Sequence, residues 1–98
     1  MQSITAKELE QKLKAGESLN IIDVREEEEV AMGKIPGAKH IPLGQIPERL
    51  AELDKNKHYY MVCRSGKRSS NACQFLAQNG YDVTNMTGGM LDWEGEFE

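Results

Sequence analysis

Residues 59–79 read as one unit that a chain cannot fold in isolation. An apolar run, Tyr59-Tyr60-Met61-Val62, stops at Cys63; the loop Cys63-Arg64-Ser65-Gly66-Lys67-Arg68 follows, and Ala72, Cys73, Leu76 and Ala77 then recur at helical spacing. A strand joined to a helix by so short a loop buries its apolar side chains by entering a parallel sheet with the helix packed on one face.

The rest of the chain repeats this alternation. Thr5 and Glu8 form a capping-box pattern, and Ala6, Leu9 and Leu13 lead a helix over about Ala6 to Ala15 that Gly16 stops. Leu19 to Val24 is a β-branched run with little alternation, as suits a buried parallel strand, and it ends in Asp23-Val24-Arg25. Glu26 to Met32 is read as a short helix whose Glu26 to Glu29 run is a solvated face. Ile35-Pro36-Gly37-Ala38 is a turn, and Lys39 to Ile41 a marginal strand closed by Pro42. A helix over Ile46 to Leu53 is expected from Ile46, Leu50 and Leu53. After the helix Ser69 to Asn79, halted by Gly80, come a strand Val83 to Met86, a Gly88-Gly89 turn and a helical turn Leu91 to Trp93. The pattern predicts an α/β fold with a parallel sheet covered on both faces.

Length and charge narrow the function. A chain of 98 residues is expected to form a single domain, 1–98, with one core and one site. Apolar residues at 39% and charged residues at 29% suit a globular protein rather than a disordered one. A net charge of −4 argues against nucleic acid as a general partner. No stretch is long and apolar enough to span a membrane and the start lacks a signal peptide, so a cytoplasmic location is expected. Two cysteines, without further ligands at metal spacing, give neither a disulfide framework nor a zinc site.

Cys63 is the candidate for chemistry. Ligands of parallel sheets bind beyond the carboxyl ends of the strands, and Cys63 stands there, ahead of a helix N-terminus whose free amides favour an anion. Arg64, Lys67 and Arg68 add positive charge within five residues and are expected to lower the thiol pKa, while Gly66 lets the backbone turn without obstructing an approaching anion. Such a cradle suits a thiolate, a persulfide anion or a sulfur oxyanion. An ordinary core cysteine has no such surroundings, whereas Cys73, on the apolar face of a helix, reads as core, with a resolving thiol as the alternative.

The Cys63-to-Arg68 segment resembles the Cys-Arg-x-Gly-x-Arg active-site loop of the rhodanese family. Asp23-Val24-Arg25, Gly33-Lys34-Ile35-Pro36-Gly37-Ala38, Ile41-Pro42, and Gly88-Gly89 followed by Trp93 fall in the family's order, so the resemblance spans nearly the whole chain. Lys34 departs from it, since the family commonly has His there. The resemblance implies a three-layer sandwich with a central, mainly parallel five-stranded sheet. It also implies a sulfurtransferase with Cys63 as nucleophile and a binding loop of Arg64, Ser65, Gly66, Lys67, Arg68 and Ser69. Asp23 and Arg25 are then supporting residues, with a purely structural ion pair equally compatible.

The expected reaction is double displacement. Cys63 takes the sulfane sulfur of a small anionic donor such as thiosulfate as a persulfide and gives it to a nucleophilic acceptor, with no metal or organic cofactor. A second reading makes the domain a carrier that receives and delivers sulfur through protein partners. A cysteine phosphatase or arsenate reductase is a third, disfavoured because four residues rather than five separate Cys63 from Arg68 and no Asp is obviously supplied as general acid. His40 and His58 read as surface or packing histidines, and Tyr59, Tyr60, Met86, Met90 and Trp93 as core and rim.

Overall fold

A computed structural model describes all residues, Met1–Glu98. Five strands form one wholly parallel sheet: β1 (Gln2–Thr5), β2 (Asn20–Asp23), β3 (Lys39–His40), β4 (His58–Val62) and β5 (Asp82–Thr87), in the order β1-β5-β4-β2-β3. Three α-helices, α1 (Ala6–Lys14), α2 (Glu27–Ala31) and α3 (Lys67–Gln78), and short 3₁₀ segments complete the chain. This is the α/β sandwich expected.

Because β4 is central and buried on both faces, its alternate residues supply both cores. Tyr59 and Met61 point with Ile22, Val24 and Val83 to the side covered by α3 through Ala72, Cys73 and Leu76. Val62 points the other way, with Ile4, Ile21 and Met86, onto Leu9 of α1, Ile35 and Trp93. From β2 the chain crosses to β3 on one side, and from the neighbouring β4 to β5 on the other. The carboxyl ends of β2 and β4 therefore flank the point where the winding reverses, the place where open α/β sheets bind ligands.

Three local expectations are corrected. Gln2–Thr5, which precedes the first capping box and has only Ile4 buried, is a strand that hydrophobic patterning does not reveal. It is held by backbone pairing to β5. The expected helix Ile46–Leu53 is instead a pair of 3₁₀ segments, Leu43–Gln45 and Pro47–Glu52, with a non-helical Arg49 (φ −112°, ψ 17°). Pro47 opens the second segment, where its missing amide costs nothing, and the regular ladder fails at Arg49. Helix α3 begins at Lys67, two residues before the expected Ser69, because Gly66 takes the capping position. No helix is long and apolar enough to cross a membrane.

Candidate active site at the end of the central strand

Cys63 follows the last residue of β4, and its side chain is fully buried. Its carbon frame belongs to the α3-side core, but its sulfur faces backbone donors. Gly66 N donates to Sγ at 3.0 Å and Ser69 N at 3.3 Å, and the Ser69 hydroxyl lies 3.3 Å away. Gly66, at φ 98° and ψ −8°, turns the chain in a left-handed conformation that brings both amides round the sulfur.

Burial opposes ionisation of Cys63. The hydrogen bonds from the Ser69 hydroxyl and from the amides of Ser69, Gly66 and Ser65 outweigh it, and the thiol is held below the usual range. This revises the part expected of the cations. Arg68 is bound to the Glu29 carboxylate, at 2.7 and 2.8 Å, and Arg64 and Lys67 are exposed. Hydrogen bonds are the larger stabilisers of the thiolate, and the Arg68 charge adds a weaker attraction.

Two residues that the sequence reading left out hold this loop. Asn85, buried on β5, donates from Nδ2 to Gly66 O at 3.1 Å and lies 2.5 Å through Oδ1 from the Ser69 hydroxyl. The hydroxyl has one hydrogen, so it serves one of three acceptors at a time, Cys63 Sγ, Gly66 O or Asn85 Oδ1, while the amides donate permanently. With Asp82, Thr84 and Thr87 also polar in the same strand, the sequence carries no signal that singles out Asn85. Glu29 is the second: Glu26, Glu27 and Glu28 are exposed as expected, but Glu29 is half-buried against Arg68.

The Gly88-Gly89 turn supports the loop from behind. Met90 N donates to Cys63 O at 2.8 Å and Leu91 N to Arg64 O at 3.0 Å. Gly89, at φ 61°, is so close that a Cβ there would lie 2.3 Å from Arg64 O. On the other side, Asp23 and Arg25 form a buried pair, with Arg25 Nη2 2.8 Å from Asp23 Oδ2. Arg25 also donates to Gly33 O at 2.8 Å and reaches Glu29 O at 3.5 Å, so the pair anchors α2 and the loop after it and makes no hydrogen bond to Cys63.

The remaining candidates lie elsewhere. Burial pushes the Cys73 thiol up to about 12. His58 bridges Asp82 and Thr84, at 2.7 Å each, at the opposite end of the sheet, and His40 Nε2 donates to Arg25 O at 2.7 Å. Tyr59, Met86 and Trp93 are buried in the core. No group of three or more His, Cys, Asp or Glu side chains is placed to hold a metal ion.

A parallel α/β sheet carrying a cysteine beneath two loop amides defines a class of domain able to hold an anionic sulfur. The chain belongs to the rhodanese-like domain family, whose model matches residues 5–96. Over 96 residues it is 50% identical to YtwF of Bacillus subtilis (strain 168), whose name proposes a sulfurtransferase; the match covers 98% of this chain and 93% of that protein. It is 44% identical to YrkF of the same organism, whose name proposes a sulfur carrier, over 97% of this chain and 52% of that longer protein. The crystal structure of a rhodanese-like domain protein from Staphylococcus aureus superposes with a TM-score of 0.94 at 46% identity, covering 100% of this chain and 97% of that one.

Proposed function

We propose that residues 1–98 act as one sulfurtransferase domain, in the cytoplasm, with Cys63 as the sulfur-carrying nucleophile. The observation that carries this reading is the pair of amides, Gly66 N and Ser69 N, directed at Cys63 Sγ. They donate continuously to an anionic sulfur and need no rearrangement as charge moves onto the transferred atom.

In the first step the Cys63 thiolate attacks the outer sulfur of thiosulfate. The new S–S bond forms as the old one breaks, and sulfite leaves with the electron pair of the broken bond. In the second step a nucleophile such as cyanide takes the outer sulfur of the Cys63 persulfide as thiocyanate, and the thiolate returns. In this scheme Lys67, with Arg64, draws the anionic donor in, and Arg68, held by Glu29, fixes the first turn of α3. That ion pair also weighs against a phosphatase, since the guanidinium is already committed to a carboxylate.

The test is intact mass after incubation with thiosulfate. Wild type and Cys73→Ser are expected to gain one sulfur atom, and Cys63→Ser none. Cys63→Ser is also expected to make no thiocyanate from cyanide. A persulfide on Cys73 alone would refute the reading.

The carrier role is a second reading, supported by the likeness to YrkF. The same Cys63 persulfide then passes between proteins, and slow thiosulfate turnover beside fast exchange with a protein thiol distinguishes the two.

A further inference from the structure

Four large apolar side chains are exposed, Met1, Met32, Leu91 and Phe97, and three of them gather beside the Cys63 loop. Met32 is 90% exposed, Leu91 61% and Phe97 57%. With Met90, Gly33 and Arg64 they border a shallow depression of about 270 Å³.

Three separate parts of the chain build this rim. Met32 caps the end of α2. Leu91 is fixed by its amide to Arg64 O at 3.0 Å. Phe97 lies over Gly33 because Glu98 N donates to Lys34 O at 2.8 Å and Lys34 N to Glu98 O at 3.3 Å. The Lys34 ammonium pairs with the Glu98 carboxylate as well. Gly33, at φ 131°, leaves room for the ring, since a Cβ there would meet Phe97 Cδ1 at 3.0 Å.

Clustered exposed apolar groups mark a surface that is covered in use, and a small dianion such as thiosulfate gains nothing from them. Of the charged side chains that line the depression, Arg25 is paired with Asp23 and Glu29 with Arg68, which leaves the Arg64 charge uncompensated. Of the four arginines, Arg25, Arg49 and Arg68 are in ion pairs, while the exposed Arg64 makes neither an ion pair nor a side-chain hydrogen bond. Lys67, also exposed, is equally unpaired.

We propose that this rim docks a protein sulfur donor or acceptor that presents its cysteine on a protruding acidic segment, with a large aliphatic side chain beside the thiol. The proposal rests on the Cys63 reading and gives that site its partner chemistry. The aliphatic side chain occupies the depression between Met32, Leu91 and Phe97, and the carboxylates meet Arg64 and Lys67. With an acceptor, the partner thiolate attacks the outer sulfur of the Cys63 persulfide. The bond between the two persulfide sulfurs breaks, its electron pair returns to Cys63 Sγ, and the partner leaves as the persulfide.

The test uses three synthetic octapeptides, each with one cysteine. The first has a leucine beside the cysteine and two glutamates, the second replaces the leucine by serine, and the third replaces both glutamates by lysine. Each is mixed with protein preloaded on Cys63 from thiosulfate, and sulfur transfer is followed by mass. The first peptide is expected to react about tenfold faster than either control, equivalent to ~1.4 kcal/mol of binding. In Met32→Ser/Phe97→Ser its rate is expected to fall to that of the serine peptide. Calorimetric titration of the same peptides into unloaded protein reads the surface without any chemistry and is expected to give the same ranking. Equal affinities for the three peptides, or a double variant that binds the first peptide as wild type does, would overturn the docking surface and leave the Cys63 reading intact. Failure to load sulfur with the peptide ranking preserved would do the reverse.

Discussion

The Glu29 carboxylate holds the Arg68 guanidinium with both oxygens, Oε1 at 2.7 Å from Nη1 and Oε2 at 2.8 Å from Nη2, tying α2 to the first turn of α3. Glu29 Oε1 also accepts Glu26 N at 3.0 Å, so one side chain caps its own helix and fixes the helix that carries Ser69.

The Arg68 hydrogen bonds lower the Glu29 carboxyl to about 2 from an ordinary 4.5. A depressed carboxyl stabilises the fold fully above its unfolded value and loses that contribution as pH falls through its folded value. Because the pair is partly exposed, Glu29→Gln is expected to cost on the order of 1 kcal/mol at neutral pH. The gap between variant and wild type is expected to shrink as pH falls from 4.5 towards about 2. Urea unfolding of both proteins at neutral and acid pH measures it, and a gap independent of pH would contradict the assignment.

Ser69 and Asn85 set the second prediction. The hydroxyl donates to the thiolate only part of the time, whereas Asn85 also secures Gly66 O and with it the orientation of the Gly66 amide. Ser69→Ala is expected to raise the Cys63 pKa, because the Ser69 hydroxyl is the largest of the hydrogen bonds that lower it. Sulfur uptake at neutral pH then slows and recovers as pH rises, because the thiolate fraction grows with pH. The pH dependence of ultraviolet thiolate absorbance, with Cys63→Ser as blank, checks the shift. An unchanged titration would leave the amides as the only effective donors.

The central strand and the loop that carries Cys63 were legible because each rests on local chemistry: an apolar run, a glycine and a helix start in sequence. The parallel sheet followed from the alternation of strands and helices. Less legible was whatever depends on partners distant in the chain. Strand β1 has one buried side chain and is defined by pairing with residues about 80 positions away. Arg68 reads as a free cation until Glu29, 39 residues earlier, is seen beside it. Asn85 is recognisable only once β5 is placed against the Cys63 loop. Pro47 was visible, but as the opening residue of a helical segment it gives no warning of the kink at Arg49.

Gly89 and Gly16 separate backbone strain from steric contact. Both are left-handed, at φ 61° and 84°, but a Cβ on Gly16 meets nothing within 4 Å whereas one on Gly89 would strike the carbonyls of Arg64 at 2.3 Å and Cys63 at 2.6 Å. Gly16→Ala is expected to cost roughly 1 kcal/mol and leave sulfur transfer unchanged. Gly89→Ala is expected to cost at least about 2 kcal/mol and to abolish most activity by displacing the loop. Melting curves and thiosulfate turnover of the two variants test this. Equal losses of stability with activity retained in both would show that the turn does not brace the site.

The two cysteines give the last prediction, because both are fully buried and only one has donors. The Cys73 thiol, raised to about 12 by burial without compensation, is neutral at any ordinary pH and packs as a small apolar group. Cys63 is ionised more readily than an ordinary cysteine and lies in a loop whose Arg64, Ser65 and Lys67 are exposed. Folded protein treated with iodoacetamide is therefore expected to acquire one adduct, on Cys63, at a rate that rises with pH. A second adduct, on Cys73, is expected to form much more slowly and to accelerate in urea. Peptide mapping of the alkylated protein over time distinguishes the sites. Should Cys73 react as fast as Cys63 in the absence of denaturant, burial and the high pKa it causes would not be what keeps Cys73 inert.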